Sequence, residues 1–153
     1  MRLTVLAAAV AFAALAFGAV STETEGANRC APTRADALGP FYEPGAAMRS
    51  KVGSGYVLSG RVLTVGCRPI ARARIEFWLV NPRGEYDNAH RATVMARLDG
   101  RYRFESNRPI AYESRPPHIH VRVSRRGFGT LVTQHYPRAG RRNAVFNLVL
   151  SRR

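Results

Sequence analysis

The stretch "RPPHIHVRV", Arg115 to Val123, sets two histidines either side of an isoleucine in a run of strand-forming residues. Side chains alternate faces along a strand, so His118 and His120 share one face while Ile119, Val121 and Val123 take the other. The apolar set suits a core, and the two imidazoles are then spaced to reach one metal ion. Arg115, Pro116 and Pro117 come immediately before. The prolines fix an extended approach and withhold backbone donors, which suits the entry to a strand or a sheet edge.

Two imidazoles do not complete a metal site. The nearby carboxylates are Asp87, Asp99, Glu105 and Glu113, and two tyrosines, Tyr86 and Tyr112, sit beside predicted loops. Zinc calls for a third histidine or a carboxylate and an open position for water; His90 and His135 are the other histidines, and neither has a short spacing to the pair. A hard ferric ion accepts phenolates instead. Two phenolates, two imidazoles and one hydroxide would balance its charge of three, so such a site tolerates burial. Spacing alone leaves both metals open.

The elements that must position these residues read as short β-runs. Residues 22–55 are rich in Gly, Pro, Ala and polar residues with no helical period, and form a loop-rich arm in which "GPFYEP" (Gly39 to Pro44) carries two aromatics between prolines. "YVLSGRVLT", "ARIEFWLV", "TVMARL", "RYRFE", "HIHVRVS", "TLVTQHY" and "AVFNLVL" follow as strands separated by turn signals. Asp99-Gly100 is the strongest hairpin signal among them. About seven short strands without a helical period imply an all-β antiparallel sandwich over residues 56–153. Tyr102, Phe104 and Trp78 are expected in its core, and His90 and His135 at the surface or a pocket rim.

The chain of 153 residues fits one domain. With 24 basic and 10 acidic residues it carries +14, and Lys51 is the only lysine. Such a surface draws anions. The basic residues run from Arg2 to Arg153 without concentrating beside stacking aromatics, so nucleic acid is not the expected partner. The start "MRLTVLAAAVAFAALAFGAV" has the layout of a secretory signal peptide over residues 1–21, leaving no stable membrane span after processing. Export to the periplasm or beyond makes Cys30 and Cys67 a disulfide pair.

Taken together, "GPFYEP", "LSGRVLTVGCRPIARARIEFWLVNPRGEYDNAH", "DGRYRFES", "AYESRPPHIHVRV" and "LVTQHYP" resemble the intradiol ring-cleavage dioxygenases, which act on protocatechuate, catechol and hydroxyquinol. The resemblance keeps motif order over nearly all of the chain after the leader. It implies that Tyr86, Tyr112, His118 and His120 hold a non-haem ferric ion, and that Arg115 and Gln134 line the pocket, with Arg115 stabilising charge on the aromatic ring. Phe41 and Tyr42 would lie near the substrate. The implied reaction inserts both atoms of dioxygen into a catechol-type substrate and opens the ring between its hydroxylated carbons to a cis,cis-muconate, with Tyr112 taking up a proton.

The chain departs from the family in length. The segment from Tyr86 to Asp99 is brief, so the pocket is expected to be open, and homo-oligomers remain possible. A second class also fits: "SGRV", "GCRPIARARIEFW" and "DGRYRF" are the habit of transthyretin-like sandwiches that serve as binding modules without catalysis.

Overall fold

The computed structural model describes residues 29–153, so the leader expected over 1–21 and residues 22–28 of the arm lie outside the described residues. Eight strands follow the arm: β1 (Gly55–Thr64), β2 (Arg74–Val80), β3 (Tyr86–Met95), β4 (Arg101–Asn107), β5 (Ile119–Ser124), β6 (Leu131–His135), β7 (Asn143–Val145) and β8 (Leu148–Leu150). They build two sheets, one of β4, β1, β7 and β8, the other in the order β3-β2-β5-β6. The second sheet is antiparallel throughout. No helix occurs among the described residues, and none there could cross a membrane.

The first sheet departs from the all-antiparallel expectation. β4 runs antiparallel to β1, but β7 and β8 both run parallel to it, one along each half. The run "AVFNLVL" is therefore two strands, broken where Phe146 and Asn147 bulge against Ser59 to Arg61 of β1. The Asn147 side chain stands in for the missing ladder, accepting from the Arg61 amide at 3.0 Å. Gly60 makes room for this close approach, since a Cβ there would lie 2.2 Å from the Phe146 carbonyl oxygen.

The Asp99-Gly100 turn forms but does not join paired strands. Gly100 takes a φ of +76° and its amide closes on Arg97 at 3.0 Å. β3 is already paired with β2, and β4 with β1, so the turn carries the chain from one sheet to the other. β3 also starts earlier than the sequence suggests, at Tyr86, which places that tyrosine on a strand instead of a loop.

Between the sheets lies a core built from the alternating positions of each strand: Ile75, Phe77 and Leu79 of β2, Ile119, Val121 and Val123 of β5, and Leu58, Val62, Tyr102 and Phe104 opposite. Phe77 and Phe104 stack at 4.3 Å. Trp78 is buried but, one residue on from Phe77, belongs to the opposite face and not to this core. His135, expected at the surface, is buried, its Nε2 2.7 Å from the Tyr56 hydroxyl. It shares the inward parity of Leu131 and Thr133 on β6.

Along the outer face of the second sheet, Trp78, His120 and Gln134 stand side by side on three neighbouring strands. The arm covers this face. The Asp36 amide donates to the Val132 carbonyl at 3.0 Å, Tyr42 reaches Glu76 at 3.3 Å, and the Thr93 amide donates to Ala47 at 2.8 Å. A segment of ordinary loop composition thus buries a face that sheet alternation alone leaves wet. At the arm's start, Cys30 and Cys67 are joined, with Cα atoms 5.2 Å apart.

Candidate metal and substrate site

His118 immediately precedes β5 and His120 lies within it, while Tyr86 opens β3 across the sheet. Their polar atoms meet. The Tyr86 hydroxyl lies 3.3 Å from His118 Nε2 and 3.0 Å from His120 Nε2, and the two Nε2 atoms are 3.1 Å apart. Each of the three is a donor atom that a cation would bridge. Neighbouring ligands of one ion stand about 3 Å apart, so the spacing fits a shared ion.

The ring nitrogens are held differently. His118 Nδ1 lies 2.7 Å from the Pro116 carbonyl oxygen, to which it donates, leaving Nε2 with a lone pair aimed at the cluster. His120 Nδ1 is buried without a hydrogen-bond partner. Packing orients that ring instead: it lies against Trp78, and Gly39 passes its Cε1 end so closely that a Cβ would come 3.0 Å from Cε1. Burial, then the neighbouring His118 and Arg115 charges, push His120 down to about 3, so it is neutral and free to ligate.

Burial and the neighbouring Tyr112 push the Tyr86 phenol up to about 12, against the opposing charges of Arg115 and Arg91. The phenol alone therefore keeps its proton near neutral pH, and a cation at the cluster would be required to remove it. Among the described residues no group of three His, Cys, Asp or Glu side chains is placed to hold a metal. The third donor here is a phenol, which suits a hard trivalent ion better than zinc.

Tyr112 sits on a tight turn closed by paired backbone hydrogen bonds with Arg115, with Glu113 at a φ of +50°. Its ring meets Tyr86 edge-on at 5.3 Å, but its hydroxyl is not part of the three-atom cluster. The Glu113 carboxylate holds that phenol above its ordinary range. Phe41 stacks on Tyr86 at 4.4 Å and meets Tyr112 edge-on at 5.5 Å. Arg91, buried beneath, holds the Phe41 carbonyl at 2.5 Å. Tyr42, expected near the substrate, packs on Trp78 at 5.2 Å and so backs the ring behind His120 instead of facing the donors.

Arg115 and Gln134 are brought together, Nη2 donating to Oε1 at 2.8 Å. The same nitrogen lies 3.0 Å from the Tyr136 hydroxyl. Sequence reading misses Tyr136, Asp36 and the supporting role of Trp78. The only available signal is parity, which puts Trp78 on the face of His120 once β2 and β5 are known to pair.

No protein-family model matches the chain. Its sequence is 29% identical over 155 aligned positions to catechol 1,2-dioxygenase of Candida albicans, covering 77% of this chain and 50% of that protein. It is 34% identical over 106 positions to the protocatechuate 3,4-dioxygenase beta chain of Burkholderia cepacia, covering 56% and 45%. The chain thus spans about half the length of these curated relatives. The dioxygenase domain of a dioxygenase carbohydrate-binding protein fusion from Streptomyces sp. SirexAA-E superposes with a TM-score of 0.73 at 25% identity, covering 80% of this chain and 99% of that domain.

The chain resembles the intradiol ring-cleavage dioxygenase family in both sequence and structure. Its β-sandwich is the fold of that family, and its strand pairing explains how "HIH", "GEY" and "TQHY", far apart in sequence, reach one end of one sheet.

Proposed function

We propose that this chain is an intradiol dioxygenase that opens a catechol-type ring between its two hydroxylated carbons, inserting both atoms of dioxygen to give a cis,cis-muconate. The observation that carries this reading is the convergence of Tyr86, His118 and His120 within 3.0–3.3 Å, beside Arg115. Tyr86, His118, His120 and, from its turn, Tyr112 would hold a non-haem ferric ion. When bound, that ion supplies Lewis-acid polarisation of the chelated diol.

The chain's own residues do the rest. Pro116 fixes the His118 tautomer, and Trp78 with Gly39 fixes the His120 ring. Tyr112, half-exposed and starting as the phenolate that would hold the ion, would take up a proton shed by the substrate, and the Glu113 carboxylate favours that protonated form. Arg115 holds a positive charge in place where the ring becomes electron-rich, and because it is positioned beforehand it costs little reorganisation during reaction. Phe41 supplies an aromatic wall against the donors. A transthyretin-like binding module has no use for this donor set, so the convergence favours the enzyme.

Export is part of the same reading. The leader-like residues 1–21 and the paired cysteines support a periplasmic or secreted enzyme, with dioxygen as its only cosubstrate.

The purified protein loaded with ferric iron should be coloured by tyrosinate-to-metal charge transfer, and should consume dioxygen and catechol in equal amounts. Tyr86→Phe combined with Tyr112→Phe should abolish the colour. A colourless ferric-loaded wild-type protein would overturn the proposal.

A further inference from the structure

The arm does more than cover the sheet. Its Asp36 carboxylate is fixed at both oxygens: Oδ1 accepts from the Ala37 amide at 2.6 Å, and Oδ2 accepts from the Tyr136 hydroxyl at 2.9 Å. The Tyr136 oxygen in turn lies 3.0 Å from Arg115 Nη2. A phenol has one proton, and the carboxylate is the stronger acceptor for it. Gln134 Oε1 also lies 2.9 Å from that hydroxyl, but it is a neutral amide oxygen already accepting from Arg115, so the proton goes to Asp36 and the phenol oxygen is left to accept from Arg115.

A second strand of the same clamp runs through Gln134. Its Nε2 donates to the Ala37 carbonyl at 2.7 Å, which turns Oε1 toward Arg115 at 2.8 Å. Two adjacent arm residues thus orient both groups that receive the guanidinium.

We propose that Asp36 is a positioning residue for Arg115, acting through Tyr136. The physical case rests on charge. Among the described residues no carboxylate forms a salt bridge with Arg115. A direct partner would fix the guanidinium but neutralise much of the field it presents to an electron-rich ring. Interposing a phenol fixes it by a hydrogen bond while the countercharge stays one residue away. Burial works against ionising Asp36, but the Ala37 amide, the Tyr136 hydroxyl and the Arg115 charge together hold it below the ordinary carboxylate range, so the carboxylate is present at neutral pH. The inference rests on the substrate-facing role given to Arg115 above.

Side-chain NMR of the whole chain tests the positioning without any metal. The Arg115 guanidinium signals, assigned by their loss in Arg115→Lys, should show slow rotation and slow proton exchange in the wild type. Asp36→Asn and Tyr136→Phe should each speed both by roughly tenfold, the effect expected on losing an orienting partner. Glu43→Gln, which removes an arm ion pair with Arg91 and leaves the Asp36–Tyr136–Arg115 chain intact, should change neither. Unchanged Arg115 signals in Asp36→Asn overturn the proposal.

Turnover of catechol by the ferric-loaded protein then gives a second reading. Asp36→Asn should lower kcat/KM roughly tenfold, and the Asp36→Asn, Arg115→Lys double variant should be no worse than Arg115→Lys alone. Multiplying losses would show that Asp36 acts independently of Arg115. A wild type that binds iron but does not turn over catechol removes the functional reading, and the NMR result still decides whether the arm positions Arg115.

Discussion

His120 lies flat on Trp78, with ring centroids 4.8 Å apart and planes 4° from parallel. The contact follows from register, because Trp78 and His120 are directly paired across β2 and β5. It is the main restraint on an imidazole whose second nitrogen has no hydrogen-bond partner. Trp78→Leu should therefore weaken ferric affinity roughly tenfold, as lost support for a metal ligand does elsewhere. It should also cost about 3 kcal/mol of stability through the void it leaves. Titration with ferric citrate, followed by the visible band, measures the first effect. An affinity unchanged in a folded Trp78→Leu variant would show that the stack does not orient His120.

Gly39 lies against the Cε1 end of the same ring. It combines a φ of +74° with a Cβ position 3.0 Å from His120 Cε1. Gly39→Ala should cost about 1–2 kcal/mol for the left-handed backbone and displace the imidazole as well. Urea unfolding and ferric affinity should both fall. If stability falls while affinity holds, the backbone matters at this position and the ring contact does not.

The bridge between Cys30 and Cys67 spans 37 residues and encloses the part of the arm that covers the site. Closing such a loop restricts the unfolded chain by roughly 3–4 kcal/mol. The mature protein should have the mass of a chain two hydrogens short, and reduction or Cys30→Ala with Cys67→Ala should lower the urea midpoint accordingly. A mass equal to that of the fully reduced chain would remove the bridge from the account.

His135 gives a pH dependence separate from the metal ligands. Burial pushes it down to about 4 from an ordinary 6.5. As pH falls below 6.5 the unfolded chain takes up this proton before the folded one does, so the contribution is full above 6.5 and is lost toward pH 4. Stability measured from pH 7 to 4 should fall less steeply in His135→Gln than in the wild type. Parallel curves would mean that the buried imidazole does not titrate differently on folding.

Much of the site is legible in the residue types themselves. His-x-His on a strand puts both imidazoles on one face by parity, and the same parity correctly sends Ile119, Val121 and Val123 into the core. Tyr86, Tyr112 and Arg115 enter through motif order, not geometry. The same logic fails at Asp99-Gly100, where the local turn is right but the pairing is wrong. Turn chemistry sets the backbone over a few residues, whereas the partner of each strand is settled by hydrogen-bond ladders closed from distant segments.

By itself, then, the sequence determines most of the strands, the inward face of β5 and the two-histidine half of the site, because those depend on spacings of one or two residues. The tertiary structure alone decides that Trp78 faces His120 instead of the core, that β7 and β8 lie parallel to β1, and that Asp36 reaches Arg115 through Tyr136. The partners in these relations lie from 21 to 100 residues apart, and no local spacing encodes which distant segment fills the space beside a given side chain. Packing does that, by burying the arm on the outer face of the sheet that carries Trp78, His120 and Gln134.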